Sequence, residues 1–151
     1  MKLLGNTKKP LKQLEKNTQS FVNLKELIYN NLQLYGFVAH KTLINSEFDI
    51  VASAYNTTLY LLTIDLPKDH KFSTKIISPE QKLFFQRLVN KGVECGIAIR
   101  IVEGAIFYLP YSLVVASGEK ELEIITTQLD LLKTHLGKWR TQYENYNYKR
   151  D

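Results

Sequence analysis

The spacing of apolar residues changes repeatedly along the chain, and each change marks an element. In 20–36, SFVNLKELIYNNLQLYG, Leu24, Leu27, Ile28 and Tyr35 follow a helical period, with Asn31 the polar exception on that face. Ser20 is positioned to cap this helix and Gly36 to stop it. FVAHKTLI (37–44) is rich in β-branched and aromatic residues and reads as a strand. FDIVASAY (48–55) and LYLLTIDL (59–66) read as a hairpin turning at NTT (56–58). Pro67 ends its second strand, because proline cannot donate to a ladder. KDHKFSTK (68–75) reads as a polar connection, and residues 1–19 as a basic, loosely ordered arm.

The strongest local pattern is SPEQKLFFQRLVNKG (78–92). Ser78 at the N-cap, Pro79 at the first helical position and Gln81 three residues past the cap spell a capping box. Phe84 with Leu88 and Phe85 with Val89 repeat at four residues, Leu83 widens the apolar face, and Gly92 stops the helix. VECGIAIRI (93–101) is nearly continuous in apolar residues, as in a strand buried on both faces. GAIFYL (104–109) adds a strand. From Ser117 the chain reads as one amphipathic helix through Leu122, Ile125, Leu129, Leu132 and Leu136, with Gly137 a point where it bends or breaks. The predicted order is α-β-β-β-α-β-β-α. It describes an α/β fold whose mixed central sheet is flanked by helices, with the strand at 93–101 parallel to an earlier one and a long C-terminal helix. The organisation expected is an arm (1–19), a domain (20–136) that includes the start of that helix, and a basic, Tyr-rich extension (137–151).

Charge adds a hint of a partner. The 151 residues carry a formal net charge of +5. Lys2, Lys8, Lys9, Lys12 and Lys16 crowd one end and Lys138, Arg140, Lys149 and Arg150 the other, the pattern of arms that lie on a phosphate backbone or simply of solvated termini. Trp139, Tyr143, Tyr146 and Tyr148 interleave with the C-terminal cations. That mixture suits stacking on bases and equally suits a packing or dimer surface. The single Cys95 lies in an apolar run and reads as a buried hydrophobe in a reducing compartment. The start, MKLLGNTKKPLK, lacks the apolar core of a signal peptide, and no run approaches a membrane span, so a soluble, cytoplasmic protein is expected. His40, His70 and His135 have no zinc-ligand spacing. No Gly-rich phosphate loop or nucleophile elbow supports a kinase, P-loop, dinucleotide or serine-hydrolase reading.

The order and particular residues resemble the PD-(D/E)XK nuclease superfamily, with its restriction-endonuclease-like fold. EFDIVASAYNTTLYLLTIDLP occupies the family's hairpin, and Asp49 lies where the family keeps its Asp. ISPEQKLFFQRLVNKGVECGIAIRI looks like the helix-strand unit of the Holliday-junction-resolvase and VRR-type branches. The likeness spans roughly residues 20–109. With Asp49 as anchor, Thr63 falls at the family's Glu position and Asp65 at its Lys position, so T-I-D replaces E-x-K.

The family's chemistry needs two carboxylates converging on Mg²⁺, a hard cation that prefers oxygen ligands, and a lysine that orients or activates water. Residues two apart on a strand share a face, so Thr63 and Asp65 would face the site together. A neutral hydroxyl is a weak Mg²⁺ ligand, and an Asp cannot supply the missing positive charge. The resemblance therefore implies a nucleic-acid-binding protein (DNA, or structured RNA) with a degenerate catalytic motif, an accessory subunit in recombination, repair or a mobile-element system. Its contacts would come from Lys8, Lys9, Lys12, Lys138, Arg140, Lys149 and Arg150. The first alternative is an active Mg²⁺-dependent endonuclease with Asp49 and Asp65 as metal ligands. A lysine would then come from Lys68, Lys75 or Lys82, with Gln81 and Glu26 in accessory roles. The second alternative is an interaction module whose C-terminal helix forms a homodimer or docks on a partner protein.

Overall fold

The structure, a computed structural model, describes residues 23–43, 46–66, 71–102, 104–118, 122–123 and 129–150. The elements are α1 (Leu24–Leu34), β1 (Val38–Lys41), β2 (Ile50–Ala54), β3 (Thr57–Leu66), β4 (Lys71–Phe72), a 3₁₀ turn (Thr74–Ile76), α2 (Pro79–Asn90), β5 (Glu94–Ile101), β6 (Ile106–Pro110), α3 (Tyr111–Ser117), β7 (Leu122–Glu123) and α4 (Leu132–Arg150). Five strands form one sheet in the order β1-β2-β3-β5-β6. All neighbours are antiparallel except β3 and β5, which run parallel with α2 between them in the chain. The expected meander, helical crossover and buried parallel strand are therefore present.

Local chemistry explains the boundaries. α1 is capped by Asn23, whose side chain accepts from the Glu26 N–H, rather than by Ser20, which lies outside the described residues. The β2–β3 hairpin turns at Tyr55 and Asn56, both with positive φ, instead of at 56–58, and Thr57 already pairs with Ala54. Two consecutive left-handed residues match the twist of the flanking strands. α2 has the full capping box: Ser78 Oγ accepts from the Gln81 N–H at 3.2 Å, and Gln81 Oε1 accepts from the Ser78 N–H at 3.1 Å. In the middle of the sheet, a Cβ on Gly96 would lie 2.5 Å from the Leu109 carbonyl and 2.6 Å from the Tyr108 ring, so glycine lets that ring lie against β5.

Side chains from opposite faces of the sheet form two cores. On one face α2 and α3 cover Leu62, Ile97, Ile99 and Ile101 through Phe85, Tyr111 and Val114. On the other, α1 and α4 cover Ile50, Leu59, Leu61 and Ala98 through Leu24, Ile28, Leu32, Leu132 and Leu136. Central β5 feeds both cores, which is why its sequence is apolar without alternation. Leu83, expected to widen the buried face of α2, is instead 50% exposed.

The C-terminal third corrects the sequence reading. No single helix runs from Ser117. Tyr111–Ser117 is a short helix, Leu122 pairs with Phe72 in a two-stranded ribbon, and α4 starts at Leu132. The leucines do not form one stripe: Leu129 packs against the α2 side of the sheet, whereas Leu132 and Leu136 lie in the α1 core. Ile125 lies outside the described residues. α4 continues through Gly137, so residue 137 falls inside a helix whose Trp139 and Tyr143 pack back on the domain. The connection 68–75 contains fully buried Phe72.

Candidate functional site

Asp49 stands just before β2 and finishes its ladder. Its N–H donates to the Leu61 carbonyl at 2.9 Å, and its carbonyl accepts from the Thr42 N–H at 2.9 Å. β2 offers no backbone partner to Thr63, whose N–H is met instead by Asp49 Oδ2 at 2.7 Å. The Thr63 hydroxyl donates to the same oxygen at 3.0 Å. Asp49 and Thr63, paired by spacing in the sequence, thus meet directly. Two donors hold the carboxylate, and an aspartate here has a complete structural role.

Asp65 lies two residues further along β3, and alternation puts it on the face of Leu61 and Thr63. Its parallel register partner is Arg100 on β5. Arg100 Nε donates to Oδ1 at 2.6 Å and Nη2 to Oδ2 at 3.0 Å, the paired geometry of a guanidinium on a carboxylate. The Arg100 side chain is 11% exposed and that of Asp65 51%. Arg100 was not singled out in the sequence. A lone cation in an apolar strand does signal a required counter-charge. Its partner, though, sits across a parallel register that depends on the path of α2.

The other candidates divide. Glu26, on the first turn of α1, pairs with Lys41 on β1, and Lys41 also lies 4.7 Å over the Tyr29 ring. Lys25 Nζ donates to the Thr42 carbonyl, on the segment that Thr42 Oγ1 ties to the Phe48 carbonyl. Gln81 fills the capping box, and its Nε2 reaches the Ser46 carbonyl at 3.4 Å, linking α2 to the loop before Asp49. Lys75 lies exposed in the 3₁₀ turn, where its N–H donates to Ser73 Oγ. Lys82 lines a separate cavity of about 150 Å³ between α2 and α3, with Thr74, Gln86 and Tyr111. Lys68 and His70 lie outside the described residues, as do Lys8, Lys9 and Lys12.

Magnesium, which the resemblance implies, can be tested against this donor set. Mg²⁺ binds through carboxylates with their oxygens free for it. Here Asp49 Oδ2 already accepts twice, Thr63 is neutral, and both Asp65 oxygens face a guanidinium that cannot lose its proton. Among the described residues no three Asp, Glu, His or Cys side chains cluster so as to hold a metal ion. The residues as arranged do not fit the ion.

On α4, Lys138 donates to Asp130 at 2.8 Å and Arg140 to Glu144 at 3.0 Å. Both pairs are exposed, so phosphate can compete for the cations at small cost. The side chains of Lys149, Arg150 and Tyr148 lie outside the described residues. Trp139 lies against Phe37, Tyr108 and His135, and Tyr143 against Tyr55, so these two rings pack rather than project. Tyr146 is exposed.

His135 is the group through which the seating of α4 is expected to respond to pH. Its ring centroid lies 4.3 Å from that of Tyr108 and 4.5 Å from that of Trp139, and Nε2 is buried without a hydrogen-bond partner. Burial lowers its pKa from the ordinary 6.5, against the pull of Glu94 and Asp130 and with help from Lys138. A histidine with a depressed folded-state pKa contributes its stability fully above the unfolded value. That contribution is lost as pH falls from about 6.5 toward the folded value. The thermal midpoint is therefore expected to drop over that window, and His135→Phe, which keeps a stacked ring, to flatten the drop. An equal drop in both proteins would assign it to other groups.

Cys95 is buried, and its thiol is pushed up to about 12 by burial and by the Glu94 carboxylate. It is a packed hydrophobe and carries no thiolate at neutral pH.

No family model matches the chain, and no curated protein matches it. Among solved structures it is similar to Hjc of Archaeoglobus fulgidus, a Holliday junction resolvase from an archaeal hyperthermophile. The TM-score is 0.59 at 15% identity, covering 75% of this chain and 97% of that one. The two share a fold: the mixed five-stranded sheet flanked by helices is restriction-endonuclease-like. No described helix is long and apolar enough to cross a membrane.

Proposed function

We propose that this protein binds nucleic acid on a nuclease-type scaffold without cutting it, as an accessory subunit in recombination, repair or a mobile-element system. The observation that carries this reading is the Asp65–Arg100 fork, which occupies the position that the resemblance gives to the catalytic lysine. Thr63 at the acid position, spent on Asp49, supports it further. The shared fold with a Holliday junction resolvase favours DNA, branched DNA first, and the net charge of +5 favours a polyanion. Lys138 and Arg140, with Lys8, Lys9, Lys12, Lys149 and Arg150, would supply phosphate contacts.

The test is fluorescence anisotropy with branched, duplex and single-stranded DNA in the presence of chelator. Binding that persists without metal and weakens with salt is expected. No binding at low salt would refute the reading and leave α4 as a dimer or partner surface.

A further inference from the structure

The carboxylates on the α1 face of the sheet are satisfied from within the protein, and one of the groups that satisfies them carries a permanent charge. We propose that Arg100 is an internal counter-ion that excludes divalent cations from this face. The proposal rests on the reading of the protein as a metal-independent binder.

Three features carry it. Asp65 and Arg100 are register partners on adjacent parallel strands, so the sheet itself fixes their encounter. The guanidinium donates one hydrogen bond to each carboxylate oxygen, at 2.6 Å and 3.0 Å. It is the better covered of the two, at 11% exposure, so solvent screens it less than an ordinary surface cation. A histidine could vacate such a position as a neutral group, but a guanidinium stays charged at any working pH. A divalent ion approaching Asp49 and Asp65 would meet that fixed positive charge. Removing it would leave Asp65 half-exposed and without its counter-charge, beside Thr63 and the Asp49 carboxylate that Thr63 holds.

Manganese titration of the full-length protein tests this, read by thermal midpoint and by the spin-resonance signal of free Mn²⁺. The natural protein is expected to show no shift and no bound ion. Arg100→Gln is expected to bind one ion and to gain roughly 3–6 °C at a metal concentration about ten times its dissociation constant. That gain should vanish when Asp49→Asn or Asp65→Asn is added. Arg100→Lys, which keeps the charge, should stay silent. Arg100→Met, which keeps the apolar stem, replaces Arg100→Gln if the latter does not fold. One bound Mn²⁺ in the natural protein, lost with Asp65→Asn, would overturn the proposal. So would an Arg100 variant that folds and gains nothing. DNA binding in chelator, measured on the same preparation, is read separately. Its absence refutes the nucleic-acid reading, while the metal titration still decides the role of Arg100.

Discussion

Phe85→Ala is expected to cost about 3–5 kcal/mol, the range for deleting a fully buried aromatic side chain. Phe85 is inaccessible to solvent and sits on α2 where that helix meets the sheet. Its ring centroid lies 5.1 Å from that of Tyr111 on α3 and 5.7 Å from that of Phe84, which in turn stacks on Phe48. Truncation would open a cavity that none of these three elements can close without leaving its own seat. For a domain of this length the midpoint should fall by roughly 10 °C. Leu83→Ala, two residues earlier and half exposed, should change stability by no more than about 0.5 kcal/mol. Calorimetry on the two variants checks the contrast. Equal losses would mean that α2 presents a different face to the sheet.

The second large effect is electrostatic. The seven cations assigned to the backbone contact are Lys8, Lys9, Lys12, Lys138, Arg140, Lys149 and Arg150. If all of them neutralise phosphates, raising salt from about 50 to about 200 mM should weaken duplex binding about 10³–10⁵-fold. Replacing Lys138 and Arg140 by Gln should lower the slope of log affinity against log salt by roughly 2, nearly independently of DNA sequence. Both sit in exposed ion pairs, with Asp130 and Glu144, so their removal should leave the fold almost untouched. Anisotropy titrations over a salt series measure both quantities. An unchanged slope would move the interface away from α4.

How much of this was legible in the sequence depended on the distance over which each feature is decided. The capping box at Ser78 and Gln81 is settled within four residues, and it forms as written. The contact of Asp49 with Thr63 follows from one hairpin, so counting along two adjacent strands brought them opposite each other. Even there the turn shifted to Tyr55–Asn56, because two left-handed residues decide it and alternation alone does not reveal them. Arg100 escaped because its partner lies on a strand that is neighbouring only after a helical crossover. The C-terminal leucines misled for a similar reason. Leu129 and Leu132 obey a helical spacing, yet they face opposite cores, and three-dimensional packing overrides the period. Trp139 and Tyr143 were open between stacking on bases and packing, and the hydrophobic surface beneath α4 uses both.

The central claim, binding without metal-dependent cutting, meets its most direct test in one assay. Four-way-junction, duplex and single-stranded DNA are incubated with the protein in Mg²⁺, in Mn²⁺ and in chelator, then resolved on native and denaturing gels. The account predicts salt-sensitive complexes that form in chelator and need no metal, weakened by divalent ions only as by other salt, and intact strands on every denaturing lane. Strands cut only when metal is present, with cutting abolished by Asp49→Ala, would contradict it.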